Sequence, residues 1–231
     1  MSARKVMLLG EIGVGKSSIV QRLVFDRFDI SYKPTIGVDV YRYDVAETAT
    51  RARMTLIVWD TDGNLGQSIF RHVYMREASA AIIVGDATRP ATLDMITDLQ
   101  TGFRDALPGR AVTILVNKLD LLDSEDAVIL PEALARSALS IHKTSAKTGL
   151  NIQSAFAETA DAIETLLDAL LSPVALAGEI ARPRRLLDAM RHGALGGGKR
   201  LRPFLTVETA RLFGVAPAQA LRAGAAVELV H

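Results

Sequence analysis

The sequence of 231 residues predicts an α/β protein with a doubly wound, mostly parallel sheet and flanking helices, followed by an all-α appendage. Three observations predict this fold class. Short apolar strand patterns alternate with helical patterns up to about residue 171. A glycine-rich turn joins the first strand to the first helix. Beyond residue 183 only helical patterns occur.

The predicted strands are short and bounded by turn residues. They cover residues 4–9, 37–46, 51–59, 80–84, 111–116 and 139–142. The second and third alternate in polarity and predict a hairpin, whereas the continuous apolar runs predict strands buried on both faces. Helical patterns lie at about 16–25, 90–105, 126–138, 151–171, 178–192, 199–213 and 217–230. Because ligands bind beyond the carboxyl ends of such strands, functional residues are expected in the loops that follow them.

Charge divides the chain into two parts. Residues 181–231 contain nine Lys/Arg and three Asp/Glu, a net of +6, whereas the remainder has a net of −5. We predict a domain at 1–171, a linker at 172–182 and a helical fragment at 183–231. The basic residues of this fragment are interleaved with Leu, Ala and Gly, so nucleic-acid binding is not predicted.

The composition excludes several classes of protein. Cysteine is absent, which excludes disulfides, cysteine metal sites and a lipid anchor on a C-terminal Cys of this chain. No apolar stretch reaches the roughly 18 residues of a membrane-spanning helix, and the first residues lack a secretory signal. We therefore expect a cytoplasmic protein.

The segment 10–17, GEIGVGKS, matches the pattern of a phosphate-binding loop between a strand and a helix. Its glycines let backbone N–H groups converge on phosphate oxygens, and the helix directs its positive end at the same anion. Lys16 is expected to reach the terminal phosphates and the Ser17 hydroxyl to ligate Mg²⁺. A structural glycine-rich turn is the alternative. The predicted phosphate ligands are Gly13, Val14, Gly15, Lys16, Ser17 and Ser18.

The segment NKLD directly follows a predicted buried strand and indicates recognition of guanine. The Asp120 carboxylate offers two acceptors to adjacent N–H donors of guanine, which adenine lacks. Asn117 is expected to tie this loop to the phosphate loop, and Lys118 to lay its stem on the base. Taken alone, the pattern also fits an ordinary strand-end turn. The last short strand is followed by Ser145, Ala146 and Lys147, which add a backbone N–H for the guanine carbonyl oxygen.

Further candidates lie in loops around the predicted phosphates. Asp60 ends a strand and can hold Mg²⁺ through water, while the Gly63 N–H can meet a γ-phosphate. Thr35 can ligate the metal directly, and Phe28 can pack edge-on against guanine. A single Thr or Phe in a loop is usually structural, but the motifs on both sides favour a functional role.

With these motifs in this order, residues 1 to about 170 resemble a small GTPase of the Ras superfamily. The segments TIGVD and WDT resemble its Rab branch. The resemblance implies a P-loop NTPase fold with six strands and five helices, and GTP or GDP with Mg²⁺ as ligands. It also implies that switch I (29–36) and switch II (61–75) contact effectors and regulators. The composition and the missing Cys suggest a bacterial member.

Three residues depart from the family pattern. Asn64 replaces the usual Gln that orients the attacking water, and its side chain is one methylene shorter. Asp62 replaces Ala and adds negative charge near the γ-phosphate. Ile12 replaces a small residue and would crowd the same space. We predict intact nucleotide binding and slow hydrolysis, unless Gln67 or a partner supplies the missing group. The resemblance assigns catalytic roles to Lys16, Thr35, Gly63 and Asn64.

Residues from about 183 to 231 resemble the start of a trans-isoprenyl diphosphate synthase. The resemblance lies in LDAMRH, GGKRLRP and AVELVH, and implies that a diphosphate would bind Lys199, Arg200, Arg202 and His231. Prenyl transfer is not predicted, because the metal-binding Asp-rich motif is missing from the sequence. The fragment can be a remnant, a regulatory tail or part of a bifunctional GTPase and synthase. For the whole chain, the alternative to a GTP switch is a non-hydrolysing GTP-dependent binding module.

Overall fold

A computed structural model describes residues 2–29, 35, 37–49, 51–62, 75, 77–174 and 183–195. These residues contain a six-stranded sheet in the order β2-β3-β1-β4-β5-β6. The strands are β1 Ser2–Leu9, β2 Val38–Val45, β3 Met54–Thr61, β4 Ala80–Asp86, β5 Ala111–Asn117 and β6 Ser140–Lys143. β4 runs parallel to β1 and β5, and β5 runs parallel to β6. β2 and β3 are antiparallel, because residues 46–53 are too few for a parallel crossover. The predicted fold class is confirmed.

Five helices lie within the described ranges: α1 Lys16–Phe25, α2 Pro90–Ala106, α3 Glu132–Ala135, α4 Ile152–Leu170 and α5 Arg184–Leu195. The helix predicted over 126–138 is wrong. Only a 3₁₀ turn at Glu125–Ala127 and the one-turn helix α3 form there, because Pro131 cannot continue a helix through its position. No helix in the described part of the chain is long and apolar enough to cross a membrane.

Proline also changes the C-terminal segment. In the described part of the segment predicted as a helix over 178–192, Pro183 is not helical, and α5 begins at Arg184 and continues to Leu195. Residues 175–182 and 196–231 lie outside the described residues, and with them the helices predicted at 199–213 and 217–230.

The chain forms two compact units. One comprises residues 4–45 and 55–163, and the other comprises 1–3, 46–54 and 164–231. The first unit contains the loops that the sequence assigns to nucleotide binding. The predicted linker at 172–182 stays a prediction.

One face of the sheet is packed against α2. Every second residue of β1, β4 and β5 lies in this core, as the two-residue period of a strand requires. The register pairs Leu9 with Ile83, and Ile83 with Ile114. These side chains pack with Ile96 and Phe103 of α2, both fully buried. The three buried strands therefore present their carboxyl ends side by side, directly under the predicted site.

Candidate nucleotide-binding site

The glycine-rich loop passes from β1 into α1 so tightly that side chains cannot be accommodated at two positions. Gly10 has φ 146° and Gly15 has φ 98°. A Cβ atom on Gly10 would lie 2.4 Å from the Val84 carbonyl oxygen, and one on Gly15 would lie 2.4 Å from Asn117 Nδ2. Glycine is therefore required for the loop to lie against β4 and β5.

Lys16 is a buried cation that reaches back over this loop. Its Nζ donates hydrogen bonds to the carbonyl oxygens of Gly10, at 2.8 Å, and Glu11, at 2.9 Å. Burial lowers the pKa of Lys16, while the negative charges of Asp60, Asp62 and Glu11 act in the opposite direction. Since an ammonium group has three donors, the geometry leaves one for an anion bound in the loop.

The predicted metal ligands include two hydroxyls that lie together. Ser17 Oγ and Thr35 Oγ1 are 2.7 Å apart. Neither carboxylate oxygen of the buried Asp60 has a hydrogen-bond partner among the described residues. Burial raises the pKa of Asp60 to about 6, although Ser17 and Lys16 act to lower it. Two hydroxyls beside an unsatisfied carboxylate suit a hard cation such as Mg²⁺. The residues present therefore fit the metal.

Asn117 joins the phosphate loop to the last strand of the core. Its Nδ2 donates to the Val14 carbonyl at 3.0 Å, and its Oδ1 accepts from the Ala146 backbone N–H at 3.1 Å. Both bonds are buried. One side-chain amide thus fixes the relative positions of three loops that follow β1, β5 and β6.

The base-recognition residues are held by their own hydrogen bonds. Ser145 Oγ donates to Asp120 Oδ1 at 2.5 Å, which orients the carboxylate. The sequence assigns a backbone N–H of the segment 145–147 to a guanine carbonyl, and within this segment the Ala146 N–H donates to Asn117 Oδ1. Among the hydrogen bonds of the described residues, the backbone N–H of Lys147 has no acceptor. The Lys147 amide is therefore the available backbone donor at this position.

An acidic residue that the sequence analysis missed lies at the centre of the site. Asp86 Oδ2 accepts from Lys118 Nζ at 2.7 Å and from Arg89 Nε at 2.9 Å. Its Oδ1 accepts from the Thr88 hydroxyl at 2.7 Å. Arg89 also donates to the Ile12 carbonyl at 2.9 Å. Burial alone would raise the pKa of Asp86, but these donors hold it below the usual value.

One signal in the sequence could have revealed Asp86. The strand predicted at 80–84 continues to Asp86, which pairs in register with Asn117 at the carboxyl edge of the sheet. A charged residue at the carboxyl end of a continuous apolar strand stands where ligands bind. Asn117, which the NKLD motif indicates, stands at the same place on β5.

Comparison with known proteins finds matches over the part of the chain that contains these loops. The Ras family model matches residues 5–165. Human Rab-22A is 36% identical over 159 residues, covering 67% of this chain and 80% of that protein. The GTP-binding protein ypt5 of Schizosaccharomyces pombe is 36% identical over 160 residues, covering 66% and 74%. RABF2a of Arabidopsis thaliana is 34% identical over 165 residues, covering 68% and 78%.

The chain belongs to the Ras family. The predicted Rab-like identity is confirmed by these relatives. Like other Ras-family proteins, it is a GTP-binding molecular switch and a GTP hydrolase that interacts with effectors and regulators. The matches support neither the synthase resemblance of residues 183–231 nor a bacterial origin.

Several predicted site residues lie outside the described residues. These are Gly63, Asn64 and Gln67, most of switch I (29–36) and of switch II (61–75), and in the tail Lys199, Arg200, Arg202 and His231. Within the described part, Phe28 is a partly exposed aromatic residue just beyond α1. Ile12 stands at the tip of the phosphate loop with 41% of its surface exposed, in spite of its apolar side chain.

Gly15→Ala tests the close approach of the phosphate loop to Asn117. Gly109→Ala is the matched control, since Gly109 also has a positive φ, of 75°, but nothing lies within 4 Å of its added Cβ. We expect both variants to lose roughly 1–2 kcal/mol of unfolding free energy through backbone strain. Only Gly15→Ala should also weaken GDP binding, measured by calorimetry. Equal GDP affinities in the two variants would contradict the predicted clash.

Asp86→Asn tests the ion-pair centre. We expect a loss of about 1–2 kcal/mol of unfolding free energy at pH 7, because the variant keeps its shape but loses the charge-assisted hydrogen bonds. The folded pKa of Asp86 lies below its usual value, so this stabilisation is present above about pH 4 and is lost as the pH falls further. In urea unfolding from pH 7 to pH 3, the difference in unfolding free energy between wild type and Asp86→Asn should therefore decrease as the pH falls.

The control for this measurement is Asp94→Asn on the exposed side of α2. It should differ from wild type by less than about 0.5 kcal/mol at every pH. A gap for Asp86→Asn that stays constant down to pH 3 would refute the role of its charge.

Proposed function

We propose that this Ras-family chain is a Mg²⁺-dependent guanine-nucleotide switch that binds GTP and GDP normally but hydrolyses GTP slowly. The observation that carries the proposal is the position of Asp62 directly after β3, where its negative charge acts to raise the pKa of Lys16. A carboxylate close to the lysine that receives the terminal phosphates adds negative charge where the γ-phosphate would bind. An ordinary member of the family has an uncharged Ala at this position.

The phosphate-binding part of the proposed site consists of the loop and its lysine. Backbone N–H groups from Gly13 to Ser18 would surround the phosphate oxygens, and the third donor of Lys16 would reach the terminal phosphates. The 2.8 Å and 2.9 Å bonds of Lys16 to the loop carbonyls support this role, because they hold the ammonium over the loop.

The metal-binding part consists of Ser17, Thr35 and Asp60. The two hydroxyls would ligate Mg²⁺ directly and Asp60 would hold it through water. When bound, the metal neutralises charge on the β- and γ-phosphate oxygens. Support comes from the 2.7 Å separation of the two hydroxyl oxygens and from the unsatisfied oxygens of Asp60.

The base-binding part consists of the loops after β5 and β6. Asp120, oriented by Ser145, would accept two hydrogen bonds from guanine, and the backbone N–H of Lys147 would donate to its 6-carbonyl oxygen. Lys118 would lie along the base, and Phe28 would pack on its edge. Asn117 would hold both loops in register with the phosphates.

Two further departures from the family pattern favour slow hydrolysis. Ile12 presents a branched apolar side chain at the exposed tip of the loop, where it would crowd the attacking water or an incoming arginine. Asn64 carries the required amide on a side chain one methylene shorter, which would fall short of the attacking water. We propose that switch I (29–36) and switch II (61–75) contact effectors and regulators in the cytoplasm.

The rate is tested by single-turnover hydrolysis of protein loaded with Mg²⁺ and GTP. We expect a rate below about 4 × 10⁻⁴ s⁻¹, the scale of an ordinary unassisted small GTPase. Asn64→Gln should raise the rate if side-chain reach is the defect. Ile12→Ala and Asp62→Ala separate crowding and charge in the same assay. A wild-type rate at or above that scale would sink the proposal.

The nucleotide that co-purifies with the protein provides a second test. Extraction and chromatography should yield guanine nucleotides, with GTP in the majority if hydrolysis is slow. Adenine nucleotides would contradict the assignment of Asp120. Nucleotide exchange without any measurable hydrolysis would instead favour the non-hydrolysing binding module.

A further inference from the structure

We propose that Arg22 is a positioning residue that orients and polarises the Ala146–Lys147 peptide, and so sets how strongly the site selects purines with a 6-carbonyl oxygen. The inference rests on the proposed function, because it assumes that this peptide meets guanine. It assigns a role to a residue of α1 that lies outside every nucleotide motif of the sequence.

The Arg22 side chain spans from α1 to the loop after β6. Its Nε donates to the Ala146 carbonyl oxygen at 2.9 Å, and its Nη2 donates to the Lys147 carbonyl oxygen at 2.6 Å. The side chain is 19% exposed. The planar guanidinium thus binds two successive carbonyls of the same loop with donors in a fixed fork.

The loop also packs closely against the stem of this arginine. A Cβ atom on Gly149 would lie 3.6 Å from Arg22 Cδ. On the other side, Arg22 Nη1 donates to Asp26 Oδ1 at 2.9 Å. This ion pair is exposed at Asp26, whose side chain is 91% accessible, so it contributes little energy and the two carbonyl contacts are what hold the guanidinium.

The covalent geometry of the peptide links this contact to the base. The carbonyl of Ala146 and the N–H of Lys147 belong to one planar trans peptide, so they point in opposite directions. Arg22 binds the carbonyl end. The N–H end is the backbone donor that has no acceptor among the described residues. Fixing the carbonyl therefore fixes the direction in which the amide points.

Charge adds to the geometric effect. A hydrogen bond from a guanidinium to a carbonyl oxygen draws electron density from the peptide and strengthens its N–H as a donor. The 6-carbonyl oxygen of guanine is the acceptor that such a donor would recognise. Adenine presents an amino group there, which cannot accept this bond. Arg22 acts on this choice without touching the base.

The test compares the affinities of GDP, IDP and 6-thio-GDP for the full chain with Mg²⁺. 6-Thio-GDP replaces the 6-carbonyl oxygen by sulfur, a weaker acceptor, and keeps the groups assigned to Asp120. IDP keeps the oxygen and lacks the 2-amino group. We expect Arg22→Ala to lower the affinities for GDP and for IDP by the same factor, about tenfold, which is the scale of one charge-assisted hydrogen bond. The affinity for 6-thio-GDP should fall less, so the ratio of the GDP affinity to the 6-thio-GDP affinity should decrease several-fold.

Three other variants separate positioning from a general loss of stability. Arg27→Ala removes an exposed arginine just beyond the same helix and should match wild type. Asp26→Asn removes the ion pair but keeps both carbonyl contacts, so its GDP to 6-thio-GDP ratio should stay that of wild type. Arg22→Lys has one ammonium in place of the fork and should give an intermediate ratio, which carries the test if Arg22→Ala does not fold.

The outcomes that overturn the inference differ from those that overturn the proposed function. Unchanged GDP affinity in the Arg22 variants, or equal weakening of GDP and 6-thio-GDP, would refute the positioning role. A wild-type chain that binds GDP but does not prefer it to 6-thio-GDP would also refute it. A wild-type chain that binds none of the three nucleotides would refute the proposed function itself.

Discussion

The hydrogen bond from the Asn117 side chain to the Val14 carbonyl is the contact on which the site depends. It is buried at the carboxyl edge of the sheet, where water cannot replace it, and losing it would leave a polar group unsatisfied. Gly15 must lack a side chain because this amide occupies the space. The other end of the same amide accepts from Ala146. Phosphate and base loops therefore cannot move independently. The Asn117 side chain, at the end of β5, fixes the distance between the loop after β1 and the loop after β6.

Around this contact, the site holds charges that only a ligand would fully satisfy. Lys16 and Asp60 are both buried. Burial favours the neutral form of each, because it lowers the pKa of Lys16 and raises the pKa of Asp60. Neither shift is compensated by a direct ion pair between described residues. In the proposed function, a nucleotide phosphate and its cation would supply the missing opposite charges, one to each group. Burial of the two charges therefore costs free energy in the protein without ligand, and favourable interactions with a bound nucleotide and its cation would offset this cost.

The sequence predicts most of this site because its motifs are local. The phosphate loop and Asn117 follow buried strands, and their chemistry follows from a few consecutive residues. The helix predicted at 126–138 is wrong because the prediction used only the spacing of apolar residues. That spacing takes no account of Pro131, which cannot continue a helix through its position. Asp86 was missed because a carboxylate at a strand end has no motif of its own. Arg22 could not be found from spacing, since its partners lie more than 120 residues away and meet it only after the sheet has formed.

Two arginines hold the recognition loops from outside, and they differ in how firmly they are anchored. Arg89 binds the Ile12 carbonyl of the phosphate loop and is fixed by Asp86, which is 1% exposed. Arg22 binds the Ala146 carbonyl of the base loop and is paired with Asp26 in solvent. Salt screens the pair with the exposed Asp26 more than the pair with the buried Asp86. A buried carboxylate therefore orients Arg89, which binds the phosphate loop. The orientation of Arg22, which binds the base loop, depends instead on its own hydrogen bonds to the two carbonyls of that loop.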